Sequence, residues 1–156
     1  RGKMAAMGPA EVVVRVESRT DAAPEQVWRL LADPYTWADW VAGTSAIRAA
    51  DAHWPAVGAR LYHRFGPRAL AVRGHTTVVD VEPASRIGLL ASALPYALVR
   101  IEITVDGTGE RTRVALCEQV VGGLGMRLPR VCGVVQRARN RRSLHRLIEL
   151  AERGGR

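Results

Sequence analysis

The last quarter of the chain limits its fold most. Leu128 to Arg153 reads as one long amphipathic helix, with Pro129 placed where a missing N–H costs nothing and Gly154-Gly155 as a stop. Leu128, Val131, Val135, Ala138, Leu144, Leu147, Ile148 and Ala151 fall at three-to-four spacing and predict an apolar stripe, while Arg137, Arg139, Arg141, Arg142 and Arg146 crowd the remaining faces. Almost everything before this helix reads as strand. A curved sheet needs apolar filling on its concave side, and a single long helix supplies it.

Glu11 to Arg19 alternates Val12, Val14 and Val16 with Val13, Arg15 and Glu17, which predicts a first strand with one buried face. Pro24 opens a short helix with Glu25 in its first turn, where a carboxylate suits the helix dipole, and Asp33-Pro34 ends it. Tyr35 to Trp40 predicts a second short helix. Strand patterns follow at Gly43–Ala49, Ala59–Phe65, Leu70–Val81, Arg86–Ala91, Ala97–Val105 and Arg111–Val121. Their connectors, such as Gly66-Pro67, Glu82-Pro83, Leu94-Pro95 and Asp106-Gly107, are turn formers. Tight turns between consecutive strands predict an α+β fold. It has an antiparallel curved seven-stranded sheet wrapped around a long C-terminal helix, with two short helices between strands 1 and 2. One domain over residues 11–154 is expected, with residues 1–10 a disordered tail or expression remnant.

Charge narrows the partners. The net charge is +8, yet Lys3 is the only lysine, and the arginines are spread over the chain rather than gathered in a block. That distribution argues against a dedicated nucleic-acid surface, although a basic nucleic-acid or protein interaction module stays open as an alternative. No apolar run approaches a membrane span, and Arg1 to Met7 lacks the apolar core of a signal peptide, so a cytoplasmic location is expected. Cys117 and Cys132 have no motif spacing and read as reduced core residues. The four histidines lack metal-ligand spacing, so neither a metal nor another cofactor is expected.

Specific residues at the joints of this pattern carry a family resemblance. They are Ala23-Pro24-Glu25-x-Val27-Trp28-x-Leu30-Leu31-x-Asp33-Pro34, Trp37-x-x-Trp40, Val79-Asp80-Val81-Glu82-Pro83 with Arg86, and Gly109-x-x-Thr112-x-Val114. With them the chain resembles the START-like, or Bet v 1-like (SRPBCC), helix-grip superfamily, nearest its polyketide cyclase/dehydrase-type members. Trp40-Val41-x-Gly43-Thr44-Ser45 and Arg139-Asn140-x-x-Ser143-Leu144-x-x-Leu147 are similar to an actinobacterial subgroup. The resemblance implies an apolar cavity between sheet and helix that holds a hydrophobic small molecule, polyketide- or lipid-like, in a monomer or homodimer. Some relatives catalyse cyclisation or dehydration there and others only carry, so fold alone does not choose.

Strand alternation nominates the cavity's polar groups. His63 shares a face with Leu61 and Phe65, and Glu118 with Val114, Leu116 and Val120. His75 is a third candidate, although the phase of strand 70–81 is ambiguous because Leu70, Val72 and Val78 oppose Val79 and Val81. In a semi-dry pocket His63, His75 and Glu118 would serve as general acids and bases for a cyclase or aromatase. Taken singly, each reads more readily as a satisfied polar residue or one near the cavity rim, and catalysis requires at least two of them on one pocket. Trp40 and Trp54, near loops at the expected mouth, are candidates to stack on a ligand, whereas Trp28 and Trp37 read as core. Phe65, Tyr96 and Asn140 complete the candidate ligand-binding set, and Tyr62 reads as surface.

Overall fold

The computed structural model describes residues 13–108 and 111–154. The chain runs β1 (Val13–Thr20), α1 (Pro24–Ala32), α2 (Trp37–Trp40), β2 (Thr44–Ala50), β3 (Arg60–Phe65), β4 (Val72–Glu82), β5 (Arg86–Ala93), β6 (Ala97–Thr108), β7 (Arg111–Gly122) and α3 (Pro129–Arg153). All seven strands pair antiparallel in the order β1-β7-β6-β5-β4-β3-β2. β1 therefore closes against β7, the last strand, while β2 forms the opposite edge. This is the helix-grip architecture expected from the sequence.

Local chemistry sets the joints. The Gln26 side chain accepts the Ala23 N–H at the start of α1, and Asp33 accepts the Tyr35 N–H where a short 3-10 turn, Pro34–Thr36, leads into α2. The second predicted helix is thus half 3-10. Leu70, expected to begin a strand, instead ends a 3-10 turn, Arg68–Leu70, because Pro67 supplies a turn and no ladder N–H. The sheet's concave face supplies Val14, Leu61, Val78, Leu89, Ile103 and Leu116 to the core. Leu144, Leu147, Ile148 and Ala151 of α3 and Val27 and Leu31 of α1 close it from the other side.

α3 does not bury the stripe that its spacing predicted. Its C-terminal half does, with Leu147 fully buried. In its N-terminal half Leu128, Val131 and Val135 are more than half exposed, and Ala138 is exposed. The residues turned inward there are polar, Gln136 and Asn140, and the buried Ser143 opens the C-terminal half. Among the described residues, no helix is long and apolar enough to cross a membrane.

Candidate functional site

The sheet, the α2 region and Arg139 of α3 enclose a pocket of about 110 Å3. Trp37, Ile47, Leu61, Phe65, Val99 and Ile101 form most of its wall, and His63, Thr76, Glu118 and Arg139 supply its charged and hydrogen-bonding groups. Two glycines make room for this arrangement. Gly74 lies opposite His63 on β4, where a Cβ would collide with the Ser92 carbonyl and stand 3.0 Å from His63 Cε1. Gly43 has φ +93°, and a Cβ there would press 2.7 Å from the Phe65 ring.

His63 comes inward as the alternation predicted. One of its ring nitrogens, Nε2, lies 3.0 Å from the Thr76 hydroxyl, and the other, Nδ1, is buried with no partner. Burial, assisted by the nearby His75, pulls its pKa down from 6.5 to about 4, so the imidazole is neutral at physiological pH. It can therefore accept or donate one hydrogen bond at Nδ1, depending on tautomer, without carrying charge.

Glu118 also points inward, paired in the sheet between Val14 and Ile101. Arg139 donates to its Oε2 at 2.7 Å, and Gln136 donates more weakly at 3.4 Å. The Arg139 guanidinium in turn sits 5.2 Å from the centroid of the Phe65 ring, a cation–π distance. Carboxylate, guanidinium and aromatic ring thus form one connected chain across the pocket from β7 through α3 to β3. A carboxylate this buried needs its partner, because an isolated ion in an apolar wall is strongly disfavoured.

Of the residues singled out in the sequence, the structure brings His63, Glu118 and Phe65 to one pocket. His75 is a correction: Gly74 and Thr76 take the inner positions of β4, so His75 falls on the outer face, 6.3 Å from the Tyr62 ring. Tyr62, expected at the surface, is half-buried by that contact. Trp40 and Trp54 are corrections too. Both are buried in the core, and Trp37 packs between them with centroids 4.7 Å and 5.4 Å away. The Trp37 and Trp54 indoles both donate to the Leu31 carbonyl, at 3.2 and 3.1 Å. Trp37, read as pure core, is the tryptophan that reaches the pocket wall.

Tyr96 lies 55% exposed on the β5–β6 turn, outside the wall. Asn140 is almost completely buried on the inner face of α3, but it does not line the pocket, and its Nδ2 has no partner. Arg139, Gln136 and Thr76 were missed. The signal for the first two was the run Gln136, Asn140, Ser143, a polar stripe at helical spacing. Among the described residues no three His, Cys, Asp or Glu side chains gather as metal ligands would.

A curved antiparallel sheet, a long helix laid across it, and a mostly apolar pocket between the two define a helix-grip fold. Residues 11–152 match the family described as polyketide cyclase/dehydrase and lipid transport, and the chain belongs to it. Among solved structures it is similar to the Zhui aromatase/cyclase from Streptomyces sp. R1128. The TM-score is 0.77 at 16% identity, over 94% of this chain and 96% of that one. It is also similar to the di-domain ARO/CYC StfQ from the steffimycin biosynthetic pathway, with TM-score 0.75 and 13% identity, covering 94% of this chain and 53% of that one. Ara h 8.0201 matches with TM-score 0.71 at 8% identity, over 89% and 96% of the two chains. At these identities the likeness is one of fold. No curated protein matches the chain by sequence.

Proposed function

We propose that this chain binds a hydrophobic or aromatic small molecule, polyketide- or lipid-like, between the sheet and α3. The observation that supports this reading is the composition of the pocket wall. Apolar and aromatic side chains dominate it, and a few polar groups, His63, Thr76 and the Glu118–Arg139 pair, interrupt it at fixed positions. The volume of about 110 Å3 limits what enters without rearrangement. An engineered cavity of about 150 Å3 takes one benzene, and drug-sized ligands occupy roughly 300 Å3 or more. A single ring or the end of an acyl chain fits as the pocket stands, and a fused polycycle requires the walls to part. The ligand then makes its hydrogen bond to His63 Nδ1, which otherwise stays buried and unpaired.

Native mass spectrometry of the purified protein, set beside the denatured sample, tests the proposal. Retention of an apolar mass is the expected result. Loss of that mass in Ala91→Leu, which fills the wall beside Thr76, ties it to this pocket. An empty protein that also ignores fatty acids, sterols and aromatic polyketides would sink the reading.

A second reading, a cyclase or aromatase, is favoured by the neutral His63 with its free Nδ1. That nitrogen, in the tautomer with its lone pair exposed, would take a proton from an enolisable carbon. Arg139 would stabilise the resulting enolate oxygen. Glu118 would hold Arg139 in place rather than act as the acid, since its carboxylate is already engaged. Turnover that His63→Gln abolishes, with ligand affinity retained, supports catalysis, and unchanged turnover removes it.

A further inference from the structure

We infer that the end of the molecule beside the pocket is a docking surface for an anionic lipid bilayer. The strands deliver three segments to this end: the β3–β4 connection, the β5–β6 turn, and the stretch joining β7 to α3. Leu70 is 77% exposed on the first, and Leu94 and Tyr96 are exposed on the second. Leu124, Met126 and Leu128 are exposed on the third, and Val131, Val134 and Val135 on the opening turns of α3. Nine of the twelve large exposed hydrophobics among the described residues therefore sit at one end. The third segment is fixed to the second by backbone bonds, Leu124 N–H to the Pro95 carbonyl at 3.0 Å and Gly125 N–H to the Tyr96 carbonyl at 2.9 Å. They form one surface, and Ala93 and Ala97 at the base of the β5–β6 turn belong to the pocket wall.

Charge is segregated along the same axis. Residues 61–79, 83–101 and 119–148 contain no Asp or Glu, and Arg68, Arg127 and Arg130 stand exposed among the apolar side chains. None of these three arginines takes part in an ion pair among the described residues. At the other end of the sheet acidic residues are interspersed with the arginines, and two of these are paired, Arg86 with Asp80 at 2.6 Å and Arg113 with Asp106 at 3.1 Å. Exposed apolar side chains with unpaired arginines between them match an anionic interface, whose acyl region takes the former and whose headgroups take the latter. An acidic protein would satisfy the arginines and leave several separate apolar projections needing a shaped apolar counterpart. A bilayer needs no such shape. Docking here would bring the pocket to a source or sink of apolar ligands, but it does not depend on which ligand the pocket holds.

Flotation of the full chain with vesicles of phosphatidylcholine, alone or mixed with phosphatidylglycerol, tests this. The expected result is binding to the anionic vesicles only, weakened by salt. Arg127→Gln with Arg130→Gln should lower partitioning about 25-fold, at about fivefold per arginine. Val131→Ser with Val134→Ser should lower it on the order of tenfold. Val79→Ser, at an exposed valine in the middle of β4, should change nothing, and native mass spectrometry of the valine variant shows whether pocket loading survives separately. Absent vesicle binding, or equal binding to both vesicle types, overturns the inference. Binding that follows the arginines but not the valines assigns the surface to an acidic partner and overturns it as well. A dimer that the valine variant dissolves, without vesicle binding, assigns it to a second copy of the chain.

Discussion

The two halves of α3 share one backbone and do opposite things. From Ser143 to Arg153 the helix buries Leu144, Leu147, Ile148 and Ala151 against sheet and α1, and Glu152 ties back to β1 by accepting the Thr20 hydroxyl at 2.7 Å. From Pro129 to Asn140 it turns Gln136 and Asn140 inward and leaves Val131, Val134 and Val135 in the open. The first half is a structural clamp that gains stability from apolar burial. The second gives up that gain and in return places Arg139 on the pocket wall, with Gln136 beside it on the Glu118 carboxylate. Buried polar atoms without partners, Gln136 Oε1 and Asn140 Nδ2, are confined to the second half of this division. Such groups cost stability and recur where function has overridden packing.

The largest expected effect separates the halves directly. Leu147→Ala should destabilise the protein by about 2–5 kcal/mol in urea unfolding, whereas Val134→Ala should stay within about 0.5 kcal/mol. Equal effects would break the comparison. Next, Arg139→Met leaves the Glu118 carboxylate buried with only the long bond from Gln136. A loss of about 2–3 kcal/mol is expected, below the usual range for a broken buried pair because Arg139 is 26% exposed. The double variant Glu118→Gln/Arg139→Met should recover most of it, and a double variant as unstable as the single one would show that the pair is not the cause.

His63 gives a pH signature to the pocket side. Its folded pKa is lowered from 6.5 to about 4, so the unfolded chain binds the proton first as pH falls. Stability is full above the unfolded value, declines between 6.5 and about 4, and loses nothing further from this group below that. Between about pH 7.5 and about pH 4.5 the loss should be about 2.5 kcal/mol, and His63→Gln should remove it from the unfolding profile. A smaller effect, about 1–2 kcal/mol, is expected for Gly43→Ala. It forces a positive φ on a residue with a Cβ and pushes the Phe65 ring from beneath Arg139. Ligand retention should fall in this variant more than its stability loss explains, and unchanged retention would detach Phe65 from the site.

Element types and order were legible in the sequence because they depend on local patterns: alternation for the strands, proline and glycine at the joints, three-to-four spacing for α3. The inward positions of His63 and Glu118 were legible for the same reason, since each follows from its own strand's alternation. His75 was not, because β4 presents apolar residues on both faces and only pairing with β3 and β5 selects one. The family was legible from its joints, and residues 11–152 bear it out.

The orientation of α3 required the tertiary structure. Its predicted stripe ran from Ala138 to Leu144, a step of six residues, which at about 100° per residue turns the helix by roughly 240° and crosses to another face. A straight helix has one rotational setting. Leu144, Leu147, Ile148 and Ala151 fix it by packing on the sheet and α1, and Asn140 and Gln136, one and two turns further back, are carried inward whatever their polarity. The sequence alone determined that there would be a grip and a helix in it. Packing at one end of that helix decided which side chains its other end would lend to the pocket and which it would leave facing out.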